Sequence, residues 1–220
     1  MAAAQPLRFS AQDRRQQIMQ VTMELFGRQG FEGTTTRQIA ERARVNEALI
    51  FRHFTGKEDL YWAIIEDKCQ VASRRAELQK KLQGNGGDRQ AFAAIAEDII
   101  RRRTKEITLT RLLFFTGLEN HRLAHRFFRT HVAQYYEVLA DHIRKRIREG
   151  VFRPVDPLLA GRGFLSMVIH HVLIQELFGG KRYQKFSPRR VGQVLADIWV
   201  EGLLARGGTP SPFGKQSRRR

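Results

Sequence analysis

Near the amino end of the chain, Thr35 and Arg37 are followed by Asn46, Glu47 and Ala48, then by Phe51, Arg52, His53 and Lys57. Arginine and lysine pair with phosphates or guanine edges. Threonine and asparagine cap helices or meet phosphates, and a glutamate can accept from the amino group of cytosine. The chemistry open to such a set is recognition of a polyanion. A second group lies in RLLFFTGLENHRLAHRFF (111–128), dense in aromatics and histidines. His121 and His125 stand four apart, a spacing that can share a metal, but the pair by itself supplies only two ligands. His170 and His171 are adjacent, so their rings cannot face one site. No Gly-rich phosphate loop and no serine nucleophile elbow is present, so the chain offers nothing to an enzyme class, and no cofactor or metal is expected.

The recognition residues need elements to hold them. Ser10-x-x-Asp13, Thr35-x-x-Gln38 and Thr55-x-x-Glu58 each combine a hydroxyl with an acid or amide three residues on, the pattern of a reciprocally capped first turn. After Ser10, Ile18, Val21, Leu25 and Phe26 follow a helical period, and Gly27 and Gly30 close a helix of roughly 11–28. A second helix starts at Thr35 with Ile39, Ala40 and Ala43 on one face. Asn46 caps a third, in which Ile50 and Phe54 share a face while Glu47, Phe51 and Arg52 point elsewhere. A fourth runs from Lys57 toward the GNGGD break at 84–88. Five further segments read as helix: Phe92–Arg103, Ile107–Leu118, Arg122–Glu149, Asp156–Phe178 and Pro188–Arg206, the last two opened by Asp-Pro and Ser-Pro. No run alternates as a strand would. The expectation is an all-α protein of about nine helices.

Two short helices joined by a three- or four-residue turn, the second with an exposed face, have helix-turn-helix geometry; the same spacing also suits an ordinary αα-hairpin of a bundle. Detail narrows the choice. Gly30-Phe31-Glu32-Gly33-Thr34-Thr35, then Arg37-x-Ile39-Ala40-x-x-Ala43-x-Val45, then Ile50-Phe51-x-His53-Phe54-x-x-Lys57-Glu58-x-Leu60 resembles, in order and without insertion, the amino-terminal signature of the TetR family of transcriptional regulators. The resemblance covers roughly residues 10–68. It implies that Thr35 caps the second helix and meets a phosphate, that Arg37 faces the DNA backbone, that residues 46–53 form the recognition segment, and that Lys57 holds a phosphate. The chain departs from the pattern in four places. Arg44 stands where the family usually has glycine, Ala48 replaces a frequent glycine, Asn46 a common serine, and Phe51 a tyrosine whose hydroxyl is therefore missing.

The resemblance also implies an organisation: a DNA-binding domain over 8–68 with its helix-turn-helix at roughly 33–54, a helical ligand-binding and dimerising domain over 69–206, and a flexible basic tail over 207–220. Leu158–Phe178 and Val191–Leu204 carry broad apolar faces suited to homodimerisation, and a two-fold dimer requires a near-palindromic operator on double-stranded DNA. Candidates to line a pocket for a small-molecule effector are Phe114, Phe115, Leu118, His121, Tyr135, Met167 and His170, each of which also suits an ordinary core. The function so implied is a sequence-specific transcriptional regulator, a repressor controlled by a ligand. The competing reading is a basic architectural protein that binds nucleic acid without preference.

At 220 residues the chain can bury a sizeable core, and 42 % hydrophobic residues argue against general disorder. The net charge of +17 implies an acidic partner. Residues 1–60 hold nine Lys or Arg against seven Asp or Glu, leaving 30 against 15 for the rest, so most of the surplus lies outside the helix-turn-helix. A single cysteine, Cys69, excludes an internal disulfide. No secretory signal is visible and no uninterrupted apolar run is long enough to span a bilayer, so a cytoplasmic protein is expected with no membrane partner.

Overall fold

The computed structural model describes residues 10–119 and 121–205, and the expected tail over 207–220 lies outside them. Among these residues the chain is helical with no strand. An isolated antiparallel bridge, Phe152 to Leu204, ties the chain between two helices to the end of the last one. The helices are α1 (Ala11–Gln29), α2 (Thr36–Ala43), α3 (Glu47–His53), α4 (Lys57–Cys69), α5 (Val71–Leu82), α6 (Gly87–Lys105), α7 (Ile107–Leu118), α8 (Arg122–Phe127), α9 (Ala133–Arg148), α10 (Pro157–Val172) and α11 (Pro188–Leu203). The nine expected segments are all present. Residues 122–149 form one helical stretch interrupted by π-helical Phe128–Val132, and α10 likewise continues as a π-helix over Leu173–Leu177. The expected fourth segment is divided, because Gln70 adopts a left-handed conformation at φ 39° between α4 and α5.

Local capping explains most starts. Ser10 and Thr35 form both halves of a capping box, and Asn46, Asp156 and Ser187 each accept a backbone N–H from three residues on. The third expected box does not form. Gly56 is the residue before α4, with no side-chain cap, and the backbone N–H of Thr55 instead donates to the Asp59 carboxylate at 2.8 Å.

The chain packs as two compact units. One comprises the chain up to Val71 together with Glu106–Phe128; the other comprises Ala72–Lys105 and the chain from Arg129 onward. The amino-terminal unit is thus larger than the 8–68 segment expected from sequence, because α7 packs against α1. Its core joins Ile18, Met19 and Phe26 of α1, Ile39 and Ala43 of α2, Ile50 of α3, Leu60, Tyr61 and Ile65 of α4, and Leu109 and Leu112 of α7.

The second unit is built on a cluster of rings: Phe92 lies 4.3 Å from Trp199 and 4.9 Å from Phe164. The Trp199 Nε1–H donates to the Ala160 carbonyl at 3.1 Å, which satisfies its polar edge. Helices α6 and α11 approach so closely at Gly192 that a Cβ there would lie 2.7 Å from the Ala93 carbonyl oxygen. Helix α6 starts at Gly87, five residues before the expected Phe92. That places Asp88 in its first turn, where His142 Nε2 lies 2.7 Å and Arg146 Nε 2.8 Å from the two carboxylate oxygens. The Asp88 side chain is only 9 % exposed. Burial alone pushes its pKa up; the bonds and charges of His142 and Arg146 more than offset that and hold it below the usual value.

By length and composition the 21-residue helix Pro157–Leu177, which contains an 18-residue window of mean hydropathy 1.4, is long and apolar enough to cross a membrane, although no bilayer-length run is free of polar residues. Its Phe164, Leu165, Val168 and Val172 are buried in the core of the second unit.

Candidate nucleic-acid interface

Helices of two turns are not stable by themselves, so α2 and α3 depend on what they bury. Ile39, Ala40 and Ala43 of α2 and Ile50 of α3 are sealed against α1 and α4, with Phe54 at the end of α3. Three residues join the helices, and the turn is made by Arg44 at φ 53°, ψ 48°. The left-handed residue that glycine would favour is therefore supplied by arginine. Two side chains pin the geometry. Gln17 of α1 donates to the Ala43 carbonyl at 3.0 Å, closing the end of α2, and the Thr36 hydroxyl donates to the Glu47 carboxylate, tying the start of α2 to the start of α3.

With Ile50 and Phe54 turned inward, Ala48, Phe51 and Arg52 are exposed together at i, i+3 and i+4. Phe51 is 53 % exposed, an unusual setting for a ring in a folded protein. Arg52 makes no hydrogen bond or ion pair among the described residues, so its five donors are available. Between residues 33 and 57 five Lys or Arg face two acids, and both acids are engaged, Glu41 by Arg37 at 3.0 Å and Glu47 by Thr36. Glu47 therefore serves the helix pair first. Thr35 uses its hydroxyl as the α2 cap, and Asn46 accepts the Leu49 N–H at 2.8 Å. His53 is half-buried with its ring 6.2 Å from that of Phe54.

Lys57, at the start of α4, donates to the Phe31 carbonyl at 2.8 Å, with its ammonium 4.4 Å from the centre of the Phe31 ring. Two of its three N–H groups remain for a phosphate. The site thus comprises an uncluttered apolar and cationic face on α3, with capped and tethered polar groups on either side, a geometry suited to base edges flanked by backbone phosphates. Thr36, Gln17 and Phe31 were missed as positioning residues. No local pattern marks them, because their partners lie eleven to twenty-six residues away.

The expected pocket residues separate. Phe114, Phe115, Leu118 and His121 fall in the first unit, where Leu118 is 82 % exposed and Phe115 partly buried. Tyr135, Met167 and His170 fall in the second; Tyr135 and Met167 pack on its core and His170 is exposed. His121 Nδ1 accepts the Leu123 N–H at 3.2 Å as the cap of α8, and its Nε2 lies 3.2 Å from the Glu32 carboxylate. His125 is exposed, and among the described residues no group of three or more His, Cys, Asp or Glu could hold a metal.

Two basic runs of the second unit, 101–103 and 144–148, are largely paired: Arg101 with Glu97, Arg102 with Asp98, Arg144 with Glu137 and Asp141, and Arg146 with Asp88 and Glu149. Their charge still adds to the long-range field, but their side chains are not arrayed for a groove.

The sequence matches two family descriptions: "Bacterial regulatory proteins, tetR family" over residues 18–64, and "AefR-like transcriptional repressor, C-terminal domain" over residues 90–206. An uncharacterized HTH-type transcriptional regulator of Bacillus subtilis, YvkB, is 36 % identical over 195 residues, spanning 86 % of this chain and 96 % of the relative. The HTH-type transcriptional regulator AcrR of Shigella flexneri is 36 % identical over 76 residues, about a third of each chain. In fold the chain is similar to NalD of Pseudomonas aeruginosa, described as the secondary repressor of the MexAB-OprM multidrug efflux pump, with TM-score 0.67 at 19 % identity over 89 % of this chain and 98 % of that one. It is equally similar to PfmR of Thermus thermophilus, with TM-score 0.67 at 22 % identity, covering 91 % of this chain and 100 % of that one.

Proposed function

The chain belongs to the TetR family of DNA-binding transcriptional regulators, and we propose that it is a homodimeric repressor of a near-palindromic operator, controlled by a small-molecule effector. The observation that carries the reading is the exposed triad Ala48, Phe51 and Arg52 on a helix anchored by buried Ile50. Arg52 reads base edges, Phe51 packs against sugar or base, and Thr35, Arg37, His53 and Lys57 meet phosphates on either side. Asn46 and Glu47 hold the helix start that presents them.

A homodimer is supported by the apolar surplus of the second unit: Leu158, Leu159, Ile174, Val194 and Ile198 are exposed on α10, its π-helical continuation and α11. Two recognition helices related by a two-fold axis then meet half-sites about one DNA turn apart. The effector acts by binding one arrangement of the dimer better than the other. Tyr135 and Met167 are the pocket candidates supported by their place on the inner apolar shell of the second unit, whereas His121 is already committed as a cap and as a partner of Glu32.

Selection of duplexes from a random pool at physiological salt tests the reading. A palindromic consensus is expected, and Arg52→Ala shifts preference at particular positions. No enrichment, with steep salt dependence on every sequence, would instead identify a non-specific architectural protein.

A further inference from the structure

Lys57 is held in place by residues far from it in sequence. Phe31 is the hub. Its carbonyl accepts from Lys57 Nζ, its ring lies beneath that ammonium, and besides Phe26 and Tyr61 its neighbours come from the corner between α7 and α8. The Phe31 N–H donates to the Glu119 carboxylate at 3.3 Å, and the Phe31 ring stands 4.8 Å from the ring of His121. His121 accepts the Leu123 N–H at Nδ1, and its Nε2 lies 3.2 Å from the carboxylate of Glu32, the next residue along from Phe31. On the other side of Lys57, Glu58 is paired with Arg122 from the same corner. The approach leaves no slack at Gly30, which has φ 80° and whose absent Cβ would fall 2.1 Å from a Glu119 carboxylate oxygen. Arg111 of α7 donates to the Gly27 carbonyl at 2.8 Å, fixing the end of α1 that leads into this loop.

Glu119 and His121 lie 62 and 64 positions from Lys57 in the sequence, and neither is a DNA contact in the proposed interface. We propose that both are positioning residues for DNA binding: through Phe31 and Glu32 they hold the Lys57 ammonium where a phosphate oxygen can take its two remaining donors. The gain is preorganisation. A lysine is a point charge on a flexible four-carbon stem, and one already ordered by a carbonyl and a ring loses less freedom when the phosphate arrives. The inference rests on the reading of α2, α3 and the start of α4 as the DNA-binding face.

The test uses the full chain and the operator it selects, with dissociation constants measured by fluorescence anisotropy over a range of salt. Lys57→Met keeps the stem and removes the charge; it is expected to lower the salt slope by about one counterion. Glu119→Ala and His121→Ala are each expected to weaken binding roughly threefold to tenfold, to reduce the slope toward that of Lys57→Met, and to add little when combined with it. Glu119→Gln restores wild-type binding, because an amide oxygen still accepts the Phe31 N–H. The slope is read on folded protein, so lost stability does not imitate the result, and either alanine variant suffices if the other fails to fold. Additive losses with an unchanged slope in the corner variants, beside a lowered slope in Lys57→Met, overturn the positioning role alone. An unchanged slope in Lys57→Met overturns the phosphate contact itself, and the positioning role with it.

Discussion

Helices α2 and α3 are 8 and 7 residues long; α10 and α11 are 16 each. All four begin with the same device, a side-chain oxygen that takes an early backbone N–H. They differ in what remains after the core is filled. The short pair turns Ile39, Ala40, Ala43 and Ile50 inward to stay folded, and its outer face keeps Ala48 and Phe51 beside charged side chains. The long pair buries Phe164, Val168, Val172, Val191, Ala196 and Val200, and still has Leu158, Leu159, Val194 and Ile198 left over on the outside. A remainder of one ring among cationic side chains suits DNA, and a wholly apolar remainder suits a second copy of the chain.

Substitution on the outer face of the long pair is expected to have the largest effect. Ile198→Glu places a charge in the proposed subunit contact, where Ile198 is 61 % exposed in the single chain. It should convert a dimer to a monomer in sedimentation and weaken operator binding on the order of a thousandfold as the second half-site is lost. A dimer that survives the change places the interface elsewhere. On the inner face of the short pair, Ile50→Ala should cost about 3 kcal/mol in urea unfolding, because the side chain is fully buried. Phe51→Ala, one residue on, should alter stability by no more than about 0.5 kcal/mol while weakening DNA binding.

The second unit offers a sharper contrast, because its polar cluster is partly buried. Asp88→Asn should cost about 2 kcal/mol, since it strips the charge that His142 and Arg146 share. The pH dependence has a definite sign. Asp88 has a lowered native pKa, so its contribution is full above the unfolded-state value near 3.8 and is lost as pH falls through the lower native one. The acid limb of a pH–stability profile should therefore flatten in Asp88→Asn. In the first unit the corresponding signature is alkaline. Burial pushes Tyr61 up to about 12, above 10 in the unfolded chain, so stability should decline between those values and Tyr61→Phe should remove that decline. The smallest effect is expected at the turn of the short pair. Arg44→Gly relieves a left-handed residue at some entropic cost, so a gain below about 1 kcal/mol is expected in thermal unfolding.

Much of the amino-terminal unit was legible. Ser10, Thr35 and Asn46 cap helices where their local patterns place them, as Asp156 and Ser187 do in the second unit, whereas arginine in place of the usual glycine left the shape of the turn at Arg44 open. Thr55 misled, because Gly56 next to it takes the capping position and leaves the hydroxyl outside the helix. Gln70 was illegible: it is neither Gly nor Pro, and nothing around it marks a break. The aromatic-rich stretch could be recognised in the sequence, but the division of the pocket candidates between two units could not.

From the sequence come the capped helix starts at Ser10, Thr35, Asn46, Asp156 and Ser187, the buried faces of α1 to α3 and the exposed face of α3, since capping and amphipathic periodicity act within one or two turns of the backbone. Tertiary structure alone decided that Glu119 and His121 would meet Phe31, that Asp88 would meet His142 and Arg146, and that α7 would pack with α1. Those contacts join residues 54 to 90 positions apart, and such pairings depend on how whole helices pack rather than on any pattern a local stretch can carry.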